Sequence, residues 1–240
     1  MDVHWEEHGW EELAPGVGRR RLPRWDATVG VVAGEDGVLL FDTGSSVREG
    51  AELHAQVRSL LGGRRVTHVA LSHLHFDHVL GTAAFAGAAV YGPSGMPELL
   101  AGGADELYED AVREGAEPAE SAAAVQLLEP PARVVAGELT LDLGGRRVLL
   151  ANAGPGHTGH DLAMLAPGYP GVVFCGDLVE ESGEPQAGPD ADPAGWPAAL
   201  DRLLALGGSD ALYVPGHGEV VDAVFVRAQR DALAARFGVS

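Results

Sequence analysis

Apolar residues fall in short runs separated by turns along the first third of the chain. Residues 28–33 and 38–41 flank Gly34-Glu35-Asp36-Gly37, which predicts a β-hairpin. Over 48–61, Leu53, Val57, Leu60 and Leu61 recur at helical spacing, and Gly62-Gly63 ends that helix. The apolar run 66–71 predicts a buried strand that leads directly into a segment of histidines and an aspartate. A brief helix from about 79 and a strand over 88–91 follow.

The pattern changes at residue 93. Residues 93–129 are rich in Ala and Glu, with helical patches at 97–100, 105–113 and 119–128. They read as a helical insertion placed to act as a lid. Strands resume at 133–135, 139–143 and 146–151, and Gly144-Gly145 turns the last two into a hairpin. Further strands are predicted at 162–165, 172–175 and 212–214, and amphipathic helices at 196–206 and 222–237. Residues 180–193 form a polar loop. No repeat of 20–50 residues and no linker divides the chain, so 1–240 reads as one domain. Strands and helices in two successive sets predict an α/β fold with helices outside packed sheets.

Composition narrows the function classes. The net charge is −19, and all 16 basic residues are Arg. Such a surface repels phosphate backbones, so no nucleic-acid partner is expected. The basic stretch Arg19-Arg20-Arg21-Leu22-Pro23-Arg24 is too short to reverse that and reads as a solvated loop or strand edge. One cysteine, Cys175, excludes an intramolecular disulfide and reads as a small buried hydrophobe. The acidic start, Met1 to Glu7, is not a signal peptide, and no apolar run is long enough to span a bilayer. A cytoplasmic protein with no membrane partner is expected.

Metal ligands need lone pairs free of protons, which neutral imidazole and carboxylate offer near pH 7. Four such residues, His73, His75, Asp77 and His78, fall within six positions. In an extended segment residues two apart face one way, which pairs His73 with His75. A tighter turn at Asp77-His78 aims the next two at a neighbouring point, so one segment can serve two adjacent metals. Three further candidates each follow a strand in a glycine-rich context: Gly156-His157-Thr158, Gly176-Asp177 and Pro215-Gly216-His217-Gly218. Glycine lets the backbone turn sharply there.

With these motifs in this order, preceded by Leu40-Phe41-Asp42-Thr43-Gly44, the chain resembles the metallo-β-lactamase fold superfamily over roughly residues 28–237. The resemblance implies an αββα sandwich, two mixed β-sheets flanked by helices, with the site along one edge. It implies that His73, His75 and His157 hold one metal, that Asp77, His78 and His217 hold the other, and that Asp177 bridges them. Two divalent ions are implied, zinc first, with iron or manganese compatible. Two such ions bring a shared water toward ionisation at neutral pH, and the resulting hydroxide is the expected nucleophile. Asp77 is then the catalytic base that orients it. Asp42, and with it Ser72 and Thr158, is expected to stand behind the ligands and hydrogen-bond them. His160 either contacts substrate or walls the pocket.

Within the superfamily, Asp177 at the bridging position and the lack of an export signal point away from secreted zinc β-lactamases, which usually lack that aspartate or carry cysteine there. Glyoxalase II-like thioesterases share the metal pattern, but their basic and tyrosine glutathione contacts are not identifiable here. Lactonases of acylated homoserine lactones share the string His-Leu-His-Phe-Asp-His. They tend to carry a tyrosine shortly after the bridging aspartate, where this chain has Leu178-Val179-Glu180. The expected function is metal-dependent hydrolysis of a small carbonyl ester, thioester or lactone. Two other chemistries of the fold stand as alternatives: a mononuclear iron persulfide dioxygenase, and a phosphodiesterase or ribonuclease, against which the acidic charge counts. Oligomeric state is not legible.

Overall fold

A computed structural model describes residues 4–239. The start of the acidic N-terminal segment, residues 1–3, and residue 240 lie outside the described residues. Strands β1 (Trp10–Ala14), β2 (Val17–Arg21), β3 (Thr28–Ala33) and β4 (Val38–Phe41) form an antiparallel meander. Beside β4, strands β5 (His68–Ala70), β6 (Ala89–Pro93) and β7 (Arg133–Val135) add in parallel, giving a seven-stranded mixed sheet in sequence order. The second sheet has five strands in the order β12-β11-β10-β9-β8: β8 (Glu138–Asp142), β9 (Arg147–Asn152), β10 (Leu162–Ala166), β11 (Val172–Glu180) and β12 (Leu212–His217). Only the β11–β12 pair in it is parallel.

Period-two alternation sorts the strand residues into layers. Leu39 and Phe41 of β4 face the second sheet and pack with Leu150, Met164, Phe174 and Val214. Val38 and Leu40 face the other way, against helix α1 (Val47–Leu60) through Leu53 and Val57. Burying each such side chain contributes about 2 kcal/mol. Helices α5 (Trp196–Gly207) and α6 (Ala223–Phe237) cover the outer face of the second sheet through Trp196, Leu200, Leu203, Val226 and Leu233. The layers are therefore helix, sheet, sheet, helix, the αββα sandwich expected. At Gly30 the sheets approach so closely that a Cβ would lie 2.4 Å from the Phe174 ring. No described helix is long and apolar enough to cross a membrane.

Several expectations shift. Residues 10–18, for which the pattern predicts no strand, join residues 19–21 in the β1–β2 hairpin, so the strand alternative holds for those arginines. Arg19, expected to be solvated, is 3% exposed in β2. Its guanidinium donates to Glu11 (2.7 Å), to the Gly218 carbonyl (2.9 Å) and to Glu219 (2.6 Å), which is how the charge is tolerated. The helix expected from about 79 begins earlier, as α2 (Phe76–Val79), with a 3₁₀ turn at Thr82–Phe85 after it. The patches of 93–129 become α3 (Met96–Arg113), irregular at Gly103, and α4 (Pro118–Leu127). Strand β11 runs on to Glu180 and β12 to His217, past the glycines that seemed to end them.

Candidate metal centre

Four strand ends converge at one edge of the sandwich. After β5 the chain bends at His73-Leu74 and is extended at His75 (φ −113°, ψ 149°), which occupies the N-cap position of α2. His73 and His75 thus project from the connection between β5 and α2, and Asp77 and His78 from the first turn of the helix. Asp177 lies inside β11, His217 ends β12, and His157 sits in the β9–β10 loop. Donor atoms of His73, His75, His157 and Asp177 form one group, and those of Asp77, His78 and His217 a second; within each group they lie within 4.8 Å of one another. His75 Nδ1 is 3.1 Å from His73 Nε2 and 3.0 Å from His157 Nε2. Asp177 faces both groups: Oδ1 is 3.1 Å from His78 Nε2, and Oδ2 is 3.5 Å from His157 Nε2 and 3.3 Å from His217 Nε2. Glycine is required beside it, since a Cβ on Gly216 would lie 1.8 Å from Asp177 Oδ1.

Each histidine is anchored through the nitrogen that points away from the cluster. His78 Nδ1 lies 3.0 Å from Asp42 Oδ2, and His73 Nδ1 lies 2.8 Å from Ser72 Oγ. Ser72 in turn donates from its N and Oγ to the two Asp42 oxygens, at 2.7 and 2.8 Å. His157 Nδ1 meets the Gln186 carbonyl at 3.0 Å, His217 Nδ1 the Trp25 carbonyl at 2.8 Å, and His75 Nε2 the Asp190 carboxylate at 3.1 Å. Carbonyl and carboxylate oxygens only accept, so these outer nitrogens carry the hydrogen and the inner ones present a lone pair. This is the tautomer a metal ligand needs.

In the metal-free protein the electrostatics split the set: His78 and His217 hold a second proton, so their inner lone pairs become available only when a cation displaces it. Burial lowers the pKa of His73 far below the imidazole range and that of His157 to about 4. On His78 and His217 burial also opposes charge. Asp177 and Asp77, with Asp42 at His78, outweigh it, so His78 is held well above 6.5 and His217 at about 9. Burial acts to raise Asp177, but His78, His217 and His73 hold it well below the usual carboxylate range. His78 Nε2 and Asp177 Oδ1 are buried, close, and so aligned that neither has a hydrogen-bond partner. Two adjoining donor groups, inward lone pairs and two orphaned inner atoms fit divalent cations.

Asp42 hydrogen-bonds His78 and Ser72, and Ser72 hydrogen-bonds His73. Thr158 bonds no imidazole of the two donor groups: its N and Oγ1 donate to Asp161, at 2.8 Å from Oγ1, and its Oγ1 accepts from His160 N at 3.0 Å, which braces the 154–161 loop. Burial raises Asp161 to about 7. His160 borders a cavity of about 790 Å³ that runs from His75 between α3 and Pro189-Asp190. Asp190, Gln186 and Trp25 were not singled out as anchors. Two of them act through backbone carbonyls, and Asp190 is 115 residues from His75, so no local spacing marks them.

The family model described as "Metallo-beta-lactamase superfamily" matches residues 22–217. The chain belongs to the metallo-β-lactamase superfamily. Among solved structures, a metallo-beta-lactamase from Pontibacter korlensis is 21% identical with a TM-score of 0.70, over 93% of this chain and 97% of that one. The DIM-1 metallo-beta-lactamase is 16% identical with a TM-score of 0.72, over 95% and 97%. The FIM-1 metallo-beta-lactamase from Pseudomonas aeruginosa, in a mono-zinc form, is 18% identical with a TM-score of 0.69, over 95% of each chain. At these identities the likeness concerns the superfamily fold alone. No curated protein matches.

Proposed function

We propose that this superfamily member hydrolyses a small carbonyl ester, thioester or lactone with two divalent ions, zinc first. The observation that carries the reading is the pair of adjoining His/Asp donor groups with Asp177 between them. His73, His75 and His157 would hold one ion, Asp77, His78 and His217 the other, and Asp177 both. Bound there, the ions would supply Lewis acidity and bring water toward ionisation near neutral pH. The chain's own residues do the rest. The outer anchors fix the orientation of five imidazoles, so that the inner nitrogen of each faces the donor groups. Asp77, buried beside His217 and His78 at 3.4 and 3.5 Å, is the carboxylate placed to orient the attacking water and take its proton. The cavity beside His75 offers a small molecule room next to that water. A chain of net charge −19 suits such a substrate better than a polyanion. The single buried Cys175 supports a reducing, cytoplasmic setting.

Elemental analysis of the purified protein, with a panel of thioester, lactone, β-lactam and phosphodiester substrates, tests this. Two zinc ions per chain and carbonyl hydrolysis reduced at least roughly 100-fold in His75→Ala are expected. A single iron with thiol-dependent oxygen uptake overturns it.

A further inference from the structure

We infer that the cavity beside the metal centre selects substrates bearing a positive charge and rejects those bearing a carboxylate; this rests on the hydrolase reading above. The cavity holds about 790 Å³, enough for a small organic molecule, and His75 lies in its wall. One long side is α3. Glu98, Gly102, Glu106, Glu109 and Arg113 all line it, at spacings of four, four, three and four residues, so a single stripe of the helix faces the space. Asp110 lies beside that stripe, and Asp190 faces it from the opposing loop. Five carboxylates therefore line the cavity; Asp190 is engaged by His75 and Asp110 by Arg113, while Glu98, Glu106 and Glu109 have no ion-pair partner among the described residues.

Arg113 is the single arginine of the lining, which also holds His75 and His160, and its guanidinium is already engaged by Asp110 and lies 3.9 Å from Glu114. The chain has no lysine to offer instead. Glu106 and Asp110, four residues apart on one helix face, repel each other, an arrangement that weakens a helix by a few tenths of a kcal/mol per pair. A cation in the cavity relieves that repulsion, and an anion adds to it. Leu74, Met96, Leu99 and Leu107 complete the lining, which suits an apolar linker between the charge and the carbonyl. The stripe is not a site alone. It borders the first donor group through His75, which lies in the cavity wall, so the charged end and the reacting end have separate places.

The test uses three S-acetyl thioesters on the same two-carbon linker, ending in trimethylammonium, tert-butyl or carboxylate. The first two are near-isosteric, so their ratio reads charge alone. With zinc-loaded protein at low ionic strength, kcat/KM for the trimethylammonium ester is expected to exceed that for the tert-butyl ester at least roughly tenfold. The carboxylate ester should be the poorest, and the preference should shrink toward about twofold in 1 M salt. Neutralising Glu98, Glu106 and Glu109 to Gln together should abolish the ratio. The same number of changes outside the cavity, Glu35→Gln, Glu129→Gln and Glu138→Gln, should retain it. A carboxylate ester hydrolysed as well as the cationic one overturns the inference and leaves the hydrolase reading standing. If none of the three is hydrolysed, the hydrolase reading fails only when no ester or lactone of the wider panel is hydrolysed either. NMR-detected binding of the corresponding trimethylammonium and tert-butyl alcohols then decides the cavity: tighter cation binding supports the inference, and equal binding overturns it.

Discussion

Asp42 lies outside both donor groups and yet holds a histidine of each in place. It holds φ at +62°, a left-handed conformation uncommon outside glycine, asparagine and aspartate. From there its two oxygens receive Ser72 N, Ser72 Oγ and His78 Nδ1. Ser72 passes the constraint to His73, so one carboxylate orients a histidine of each donor group. Asp42→Asn keeps both the backbone preference and the size. It removes the charge and presents an amide NH₂ to one of three donors. The expected result is zinc affinity and kcat/KM lowered about 10- to 100-fold with an unchanged circular-dichroism spectrum. Titration against a chromophoric chelator reads the first, and unaltered affinity would show that Asp42 serves the turn alone. Asp42 was legible because it belongs to a contiguous motif. Asp190, which anchors His75 in the same manner, was not, since only the folded loop brings it there.

At the scale of elements, legibility follows the regularity of burial. Strand β4 is a continuous apolar run buried on both faces, helix α1 buries Leu53, Val57 and Leu60 at helical spacing, and both match the predicted ranges to within one residue. Strand β2 fails that test because it carries three consecutive arginines, one of them buried on acidic partners contributed by β1 and by the residues after β12. No single-strand pattern encodes partners 199 and 200 residues away. That contact also bears on the site, because Gly218 and Glu219 directly follow His217. Arg19→Met keeps the apolar stem and removes the clamp. It is expected to cost about 1–3 kcal/mol in urea unfolding, since its carboxylate partners are half-exposed, and to weaken zinc binding at the group containing His217. Leu53→Ala is the contrasting case: a fully buried side chain on α1, remote from the donors, whose loss is expected to cost about 2–5 kcal/mol. Its zinc stoichiometry should not change. A matching loss of zinc in both variants would mean that general destabilisation, not the clamp, controls the site.

At the scale of the whole molecule, stability, pH and metal are one linked equilibrium. His217 is raised to about 9 and His78 well above 6.5, so in the metal-free protein both bind protons more tightly when folded than when unfolded. Their stabilising contribution is complete below about 6.5 and is lost as pH climbs through the folded values. Asp161, raised to about 7 by burial, adds a loss of the same sign up to that pH. His73 and His157 are lowered, so their effect on stability falls below 6.5 and does not oppose this trend. Chelated protein should therefore melt at progressively lower temperature from pH 6.5 to 9. Zinc reverses the sign, because it binds the neutral imidazoles and must displace those protons, so its apparent affinity rises over the same interval. Zinc at about 1,000 times its dissociation constant adds roughly 4 kcal/mol, or on the order of 10 °C in a chain of this size. Differential scanning calorimetry of loaded and chelated protein should show the gap between their melting temperatures widening from pH 6.5 to 9. Proton release on zinc addition should be largest near pH 7 and fade toward pH 9. A gap that narrows with rising pH would mean that His78 and His217 do not yield their protons to metal, and the two-ion assignment would fall with it.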